Sequence, residues 1–407
     1  MCHSLYWAFR RQATRATLAA IVTAAVLVPA AAEAGQPHVL SRTAPVRESA
    51  SDVHAYWTPE RMRNAQPLPM PEPPPEFAGP PLAEEPASDP SLVTGGPGAP
   101  PIVEVPAALE ADAADVPADD LDEDEELSAV VGGTSSTSGV QTPTSYGTDG
   151  CHFSGSRLNP RTIDARYPYR AVGKLFFTKP GFGDFECSGA VVRPRVVVTA
   201  AHCAHSGNGL LSGWFTHFLF CPAYRGGPSA RFGCWAYTQV LVDGAWFSGG
   251  GTFPNAADYA LMAVSDRTIG GVERRIGDVT GYFGYQTLSL TTNLVHMLGY
   301  PADFSEGERM HQVASGRCYA GGSNTERYGS DMRGGSSGGP WVMDFGIPAS
   351  GQTITNPNGP NVIVGVASYA NVSTAPKYQG ASIPDGRFQS LLDSVCAVDT
   401  TPPANCF

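Results

Sequence analysis

The run RGGSSGGPW, from Arg333 to Trp341, constrains this chain more than any other stretch. Each glycine gives up backbone entropy on folding and buries no side chain, so packing does not explain four glycines around a serine pair. Such a backbone suits a sharp bend that presents N–H groups to a developing negative charge beside the Ser337 hydroxyl. A flexible Gly/Ser loop is the alternative interpretation of these residues taken alone.

Two upstream segments supply a histidine and an acid. The β-branched run at 196–199 leads to His202, which is followed by Cys203, and Asp258 precedes the apolar segment 260–264. Residues 335–339 also fit the G-x-S-x-G elbow of α/β-hydrolases, but in that fold the histidine follows the serine. The last histidine here is His311, before Ser337, so the chain order excludes an α/β-hydrolase.

Three motifs together carry a family resemblance. The segments TAAHC at 199–203, DYAL at 258–261 and GSSGGP at 335–340 resemble those of the chymotrypsin-fold serine endopeptidases. YPYRAV at 167–172 and GYP at 299–301 are similar to the glutamyl-endopeptidase branch. The resemblance covers about residues 160–395.

The chain beyond residue 150 has many short β-branched and aromatic runs separated by Gly, Pro and Asn, which favours an all-β barrel or sandwich. The resemblance narrows this to an all-β fold of two six-stranded antiparallel β-barrels with a cleft between them. We expect the serine protease domain at 151–407, with the N-terminal barrel at about 160–280 and the C-terminal barrel at about 281–400. A short helix is expected at 387–395.

The resemblance also implies roles for individual residues. Ser337 is the expected nucleophile, His202 the general base and Asp258 the residue that orients the imidazole. The backbone N–H groups of Gly335 and Ser337 are expected to form the oxyanion hole. Fallback residues are His205 for the base and Asp243 or Asp266 for the acid.

Substrate preference is left open between three classes. Asp331 falls where trypsin-like members carry the acid that binds Arg or Lys, and a buried carboxylate there would select a basic side chain. Glutamate-specific members carry a histidine at the position that matches Ala367. The segment from Ser368 to Ala370 looks like the strand that pairs with the substrate backbone, with Ala370 replacing a usual glycine. Basic, small or apolar, and glutamate preferences all remain.

The first 150 residues differ in composition from the rest. Residues 1–34 combine three arginines, an apolar core and an Ala-x-Ala end, which predicts a secretory signal peptide and no stable membrane anchor. Residues 35–150 hold 20 acids, 4 bases and 19 of the 36 prolines. We therefore expect a disordered Pro-rich acidic propiece or linker, serving either as a solubilising spacer or as a prosegment lying against the protease domain.

This leader also contains a VVGG segment at 130–133 that looks like the new N-terminus of an activated trypsin-type zymogen. In that mechanism the amine pairs with an aspartate before the nucleophile, and here that position is Ser336. We therefore do not expect this activation switch.

The cysteines indicate an oxidising compartment. Eight remain after the signal, an even number that predicts disulfides in a secreted protein, extracellular or periplasmic. The resemblance implies a bridge between Cys187 and Cys203, and Cys221 with Cys234 is a plausible local closure. Pairing of the other four cysteines is left open: Cys151, Cys318, Cys396 and Cys406.

We predict a secreted serine endopeptidase acting on protein or peptide substrates, with no cofactor, no metal site and no nucleic-acid partner. The alternative is a catalytically silent protease-like binding module.

Overall fold

Two closed antiparallel barrels contain most of the described strands. The computed structural model describes residues 39–43, 48–74, 95–103, 105, 151–158, 161–229, 231–287, 293–320, 324–346, 356, 358–371, 377–397 and 406. The expected signal peptide at 1–34 and the segment 130–133 lie outside these residues. Among the described residues, no helix is both long and apolar enough to cross a membrane.

The first barrel is built from six strands: β4 (Val172–Lys179), β5 (Gly183–Arg193), β6 (Val196–Thr199), β7 (Thr216–Pro222), β8 (Trp235–Asp243) and β9 (Ala260–Val264). It closes because β4 pairs with both β5 and β7, and β9 pairs with both β6 and β8. The run 196–199 is buried at every position, which explains its unbroken β-branched sequence. Thus β6 ends three residues before His202, and β9 begins two residues after Asp258.

The second barrel is built in the same way from β13 (Leu294–Gly299), β14 (His311–Ala320), β15 (Thr325–Gly329), β16 (Pro340–Met343), β17 (Val362–Ala370) and β18 (Tyr378–Ser382). Pairing of β17 with β18 closes it. Its core contains Trp341, Tyr328 and Val364. The two closed barrels confirm the predicted all-β fold class.

Shorter elements complete the architecture. Two further strands pair with the second barrel: β3 (Phe153–Arg157) pairs with β14, and β12 (Gly284–Tyr285) pairs parallel with β17. A separate hairpin is formed by β10 (Arg267–Ile269) and β11 (Val272–Arg274). The helices of the barrel region are α3 (Gly244–Phe247), α4 (Ile276–Thr280) and α5 (Gly386–Ala397). The α5 helix spans the predicted 387–395, and the 3₁₀ turn Ala201–Cys203 carries His202.

The leader contributes elements that the sequence interpretation did not anticipate. They are β1 (Val39–Thr43), paired with β8, α1 (Ala50–Tyr56), α2 (Pro59–Asn64) and β2 (Gln66–Pro67), paired parallel with β5. Val53, Trp57 and Met62 are buried and belong to the core cluster of the first barrel. For residues 48–74 the expectation of disorder therefore does not hold, because their apolar side chains are buried against the first barrel rather than in a core of their own.

All eight cysteines beyond the signal are paired. Cys187 bonds to Cys203 and Cys221 to Cys234, the pairs that the sequence suggested. The pairings left open are Cys151 with Cys318 and Cys396 with Cys406. The Cys151–Cys318 bond links the residues just before β3 to strand β14.

A buried ion cluster lies between β4, β5 and the turn at 305–308. Lys174 has a fully buried ammonium that lies 2.5 Å from Glu186 Oε2 and 2.9 Å from Glu308 Oε1. Burial raises the pKa of Glu186 to about 7 despite the attraction of Lys174. Because the folded-state pKa is the higher one, this carboxyl favours folding most at low pH, and that contribution is lost as the pH rises towards 7.

We expect Lys174→Met to lower the free energy of unfolding by about 3–5 kcal/mol at pH 8, because it leaves a buried carboxylate without its cation. The loss should be smaller at pH 5, where Glu186 is protonated in the folded protein. Urea unfolding at both pH values measures this, with Lys377→Met at an exposed lysine as the control. Equal losses at the two pH values would contradict the assignment to Glu186.

Candidate active site

The candidate histidine and acid are held together in a buried pair. Asp258 is fully buried, and its Oδ1 accepts the backbone N–H of His202 at 2.8 Å. Its Oδ2 lies 2.7 Å from His202 Nδ1 and also accepts the Ser368 hydroxyl at 2.5 Å. An ionised carboxylate only accepts, so Nδ1 is the donor in this pair, and a neutral imidazole with that proton has its lone pair on Nε2. Nε2 is buried and has no hydrogen-bond partner among the described residues.

The fallback residues have other roles. His205 uses both ring nitrogens, since Nδ1 accepts from the N–H of Gly207 and Nε2 lies 2.9 Å from the carbonyl oxygen of Leu210. Asp243 caps α3 by accepting the N–H of Ala245. Asp266 forms a double hydrogen bond with Arg195. These contacts leave His202 and Asp258 as the candidate base and its orienting acid.

The loop at 333–339 carries Ser337 and packs against the first barrel; we call it the serine loop. Ser188 of β5 donates its N–H to the carbonyl oxygen of Ser337 at 2.8 Å and its hydroxyl to the carbonyl oxygen of Gly335 at 2.9 Å. Gly338 has φ +81°, and a Cβ there would collide with Thr199 and the backbone of Ser188. The loop that carries the candidate nucleophile therefore requires glycine in order to approach the first barrel this closely.

A neutral polar network supports the loop from the second barrel. Ser336 is fully buried and donates its hydroxyl to the carbonyl oxygen of Arg333 at 2.6 Å. Gln379 Nε2 donates to the Ser336 hydroxyl at 2.9 Å, and Trp341 Nε1 donates to Gln379 Oε1 at 3.2 Å. The position where most members of the resembled family carry an aspartate thus holds a hydroxyl that needs no cation.

The residues expected to determine specificity lie in two places. Ser368 contacts Asp258, and the N–H of Ala370 on the same strand faces the cleft, where it donates to the carbonyl oxygen of Pro71 at 3.0 Å. Asp331 lies beside His311 instead, with 3.8 Å between Oδ1 and Nε2. That Oδ1 is buried and has no hydrogen-bond partner among the described residues. The backbone of Ala367 forms hydrogen bonds with the backbone of Gly338 and Gly339 in the serine loop.

A segment of the leader crosses this site. The N–H of Leu68 donates to the carbonyl oxygen of Glu186 at 3.0 Å, and the carbonyl oxygen of Leu68 accepts the N–H of Gly335 at 3.1 Å. The Ser337 hydroxyl donates to the sulfur of Met70 at 3.3 Å. We call residues 66–71 the cleft strand.

Three of the solved structures that are similar to this chain overlap with it to a comparable extent. They are a thermostable serine protease from an extremophilic microorganism (26% identity, TM-score 0.45, covering 56% of this chain and 98% of that one), the protease Anisep from Arthrobacter nicotinovorans (26%, 0.45, 56% and 97%) and a Glu endopeptidase (18%, 0.45, 60% and 96%).

Sequence comparison gives two curated relatives. The chain is 30% identical over 181 residues to a glutamyl endopeptidase of Bacillus licheniformis, a match that covers 44% of this chain and 50% of that protein. It is 25% identical over 170 residues to a protein named extracellular metalloprotease of Bacillus subtilis, covering 40% and 50%. The chain thus spans about half the length of the curated relatives it matches. No protein-family model matches it.

Over these 181 residues the chain is similar to a glutamyl endopeptidase, in agreement with the resemblance that its sequence motifs carry.

Three supporting residues were missed from the sequence: Ser188, Gln379 and Met70. Ser188 follows a predicted half-cystine, which was the available signal, but nothing in the sequence indicates that its hydroxyl reaches a loop about 150 residues away. Gln379 and Met70 carry no motif, and only the folded chain brings them to the serine loop. Among the described residues, no cluster of His, Cys, Asp or Glu has the arrangement of a metal site.

We expect Gln379→Met to lower the free energy of unfolding by about 1–3 kcal/mol, because Ser336 and Trp341 would each lose a buried hydrogen-bond partner. Thermal unfolding monitored by near-ultraviolet circular dichroism measures this. Gln389→Met is the control, since Gln389 is partly exposed and water can replace the hydrogen bonds that its amide makes with Tyr285 and Asp393. An unchanged midpoint for Gln379→Met would show that the network does not support the loop.

Proposed function

We propose that this protein is a secreted serine endopeptidase in which His202, Asp258 and Ser337 form the catalytic triad. The observation that carries the proposal is the double hydrogen bond from His202 to the buried Asp258, which leaves Nε2 without a partner among the described residues. The next residue, Cys203, has its sulfur 4.0 Å from the carbonyl oxygen of Ser337. Homology to a glutamyl endopeptidase supports the same reaction class.

The proposed reaction begins at the Ser337 hydroxyl. Nε2 of His202 removes its proton as the oxygen attacks the carbonyl carbon of a peptide bond. The resulting oxyanion accepts hydrogen bonds from the N–H groups of Gly335 and Ser337. His202 then gives the proton to the departing amine, and an acyl ester remains on Ser337. Water, deprotonated by His202, hydrolyses that ester and restores the enzyme.

Surrounding groups support each step of this mechanism. Asp258 stabilises the imidazolium that forms, and Ser368 donates to Oδ2, the carboxylate oxygen that also faces His202 Nδ1, so that the carboxylate keeps its orientation. The N–H of Gly335 already donates to a carbonyl oxygen, that of Leu68, which supports its role as an oxyanion donor. No resident metal or organic cofactor is needed for this chemistry.

The same proposal includes protein or peptide substrates, export from the cell and a leader that acts as a propiece. The eight paired cysteines fit an oxidising compartment. A catalytically silent binding module is the alternative, and the paired His202 and Asp258 argue against it because binding alone requires neither.

We expect a fluorophosphonate probe to form one covalent adduct on Ser337 during a prolonged incubation with the full chain. Mass spectrometry of the digested protein locates the adduct. Ser337→Ala should abolish it, and Ser248→Ala is the matched control because it removes an exposed hydroxyl outside the site and keeps the nucleophile. Labelling that survives in Ser337→Ala would overturn the assignment of the nucleophile.

Asp331 remains the candidate for basic specificity. If its carboxylate binds the substrate side chain, Asp331→Ser should reduce kcat/KM for peptides cleaved after Arg or Lys by about 100-fold or more and leave peptides cleaved after Leu or Ala nearly unchanged. Cleavage of a peptide library by both forms measures the preference. An equal fall for every substrate class would assign Asp331 a structural role beside His311 instead.

A further inference from the structure

The cleft strand occupies hydrogen-bonding groups that a substrate needs. The N–H of Gly335, a proposed oxyanion donor, is bonded to the carbonyl oxygen of Leu68, and the N–H of Ala370 is bonded to that of Pro71. The N–H of Leu68 uses the carbonyl oxygen of Glu186. A second peptide could not make these bonds while the cleft strand is in place.

Met70 acts on the nucleophile itself. Its sulfur accepts the Ser337 hydroxyl at 3.3 Å, while His202 Nε2 has no partner among the described residues. The hydroxyl is therefore directed at a thioether rather than at its proposed base. A thioether sulfur offers no carbonyl carbon for attack, so this contact blocks the site without being consumed. Met70 is itself only 5% exposed, which leaves little space for another group.

Prolines prepare the cleft strand for this position. Prolines occupy every second position at 67, 69, 71 and 73. Each fixes its own φ and restricts the preceding residue to extended conformations, so the unbound segment is already close to its bound shape. The entropy lost on binding is correspondingly small. The carbonyl group that accepts the N–H of Gly335 belongs to the peptide bond between Leu68 and Pro69.

Residues 48–64 anchor the cleft strand to the first barrel. The Trp57 indole N–H donates to the carbonyl oxygen of His217 at 2.5 Å, and the Tyr56 hydroxyl donates to Asp184 at 2.7 Å. Tyr56 also stacks on the His217 ring, with 3.9 Å between centroids. Val53 of the anchor is fully buried, so its apolar side chain also stabilises the docked position. The anchor thus holds the cleft strand at a high effective concentration beside the site.

From these contacts we infer that residues 48–74 are an intramolecular inhibitor of the active site. Residues 48–64 provide the docking surface, and the cleft strand blocks Gly335, Ser337 and Ala370. The inference rests on the proposed function, since an inhibitor requires a site to inhibit. It gives the acidic leader a binding role that its composition alone did not indicate.

The test uses the full chain and two disrupting variants. Met70→Asp places a carboxylate in the buried position over Ser337, and Trp57→Ala weakens the anchor far from the cleft. Both should raise the rate of fluorophosphonate labelling of Ser337 by about tenfold or more, because the uninhibited state becomes the populated one. Ala55→Asp is the matched control, since it adds the same charge on the exposed face of α1 and should label as slowly as the unmodified chain.

Amide hydrogen exchange gives a readout that does not depend on activity. The N–H groups of Gly335 and Ala370 should exchange slowly in the unmodified chain and in Ala55→Asp, and rapidly in Met70→Asp. Rapid exchange in Met70→Asp together with unchanged labelling would overturn the inhibitor and leave the proposed function intact. Rapid exchange without labelling of any variant would instead reject the proposed function, and the inhibitor role with it.

Discussion

The contact between Ser188 and the serine loop is the interaction on which the rest of the site depends. The candidate nucleophile belongs to the second barrel, and His202 and Asp258 belong to the first. Ser188 joins them, because its N–H holds the carbonyl oxygen of Ser337 and its hydroxyl bridges Gly335 and the N–H of Tyr300. These bonds are buried, so breaking any of them would leave unpaired polar groups in the interface. The geometry of the site is therefore fixed by barrel packing.

In the serine loop, hydrogen bonds between neutral side chains stabilise the position where an aspartate would need an ion pair. Ser336 and Gln379 satisfy each other in a fully buried setting, so no new N-terminal amine is needed to compensate a carboxylate beside Ser337. Burying an ion pair would have required full compensation of its desolvation. The loop is consequently formed while the leader is still attached. A different means of control is then required, and occupation of the cleft by the leader provides one.

Composition alone did not predict that part of the leader is ordered. Its many prolines and acids, and its few large apolar residues, argue against an independent core, and that argument concerns only what the segment could bury within itself. Val53, Trp57 and Met62 are instead buried among residues of the first barrel. A short segment can order when its partner surface already exists, because the partner contributes most of the buried area. Residues 48–74 of the leader are held in this way.

The sequence by itself determined the all-β fold class and the order of the candidate triad residues, since these follow from strand-length apolar runs and from motifs contained within a few residues. The family resemblance added the Cys187–Cys203 bridge, and the Cys221–Cys234 bridge was a plausible local closure. The tertiary structure decided the remaining disulfide pairs, the support of the loop by Ser188 and Gln379, and the place of Met70. It also put Asp331 beside His311. Such contacts join residues far apart in the chain, and no local pattern encodes them. They exist only once two closed barrels bring distant strands to one cleft.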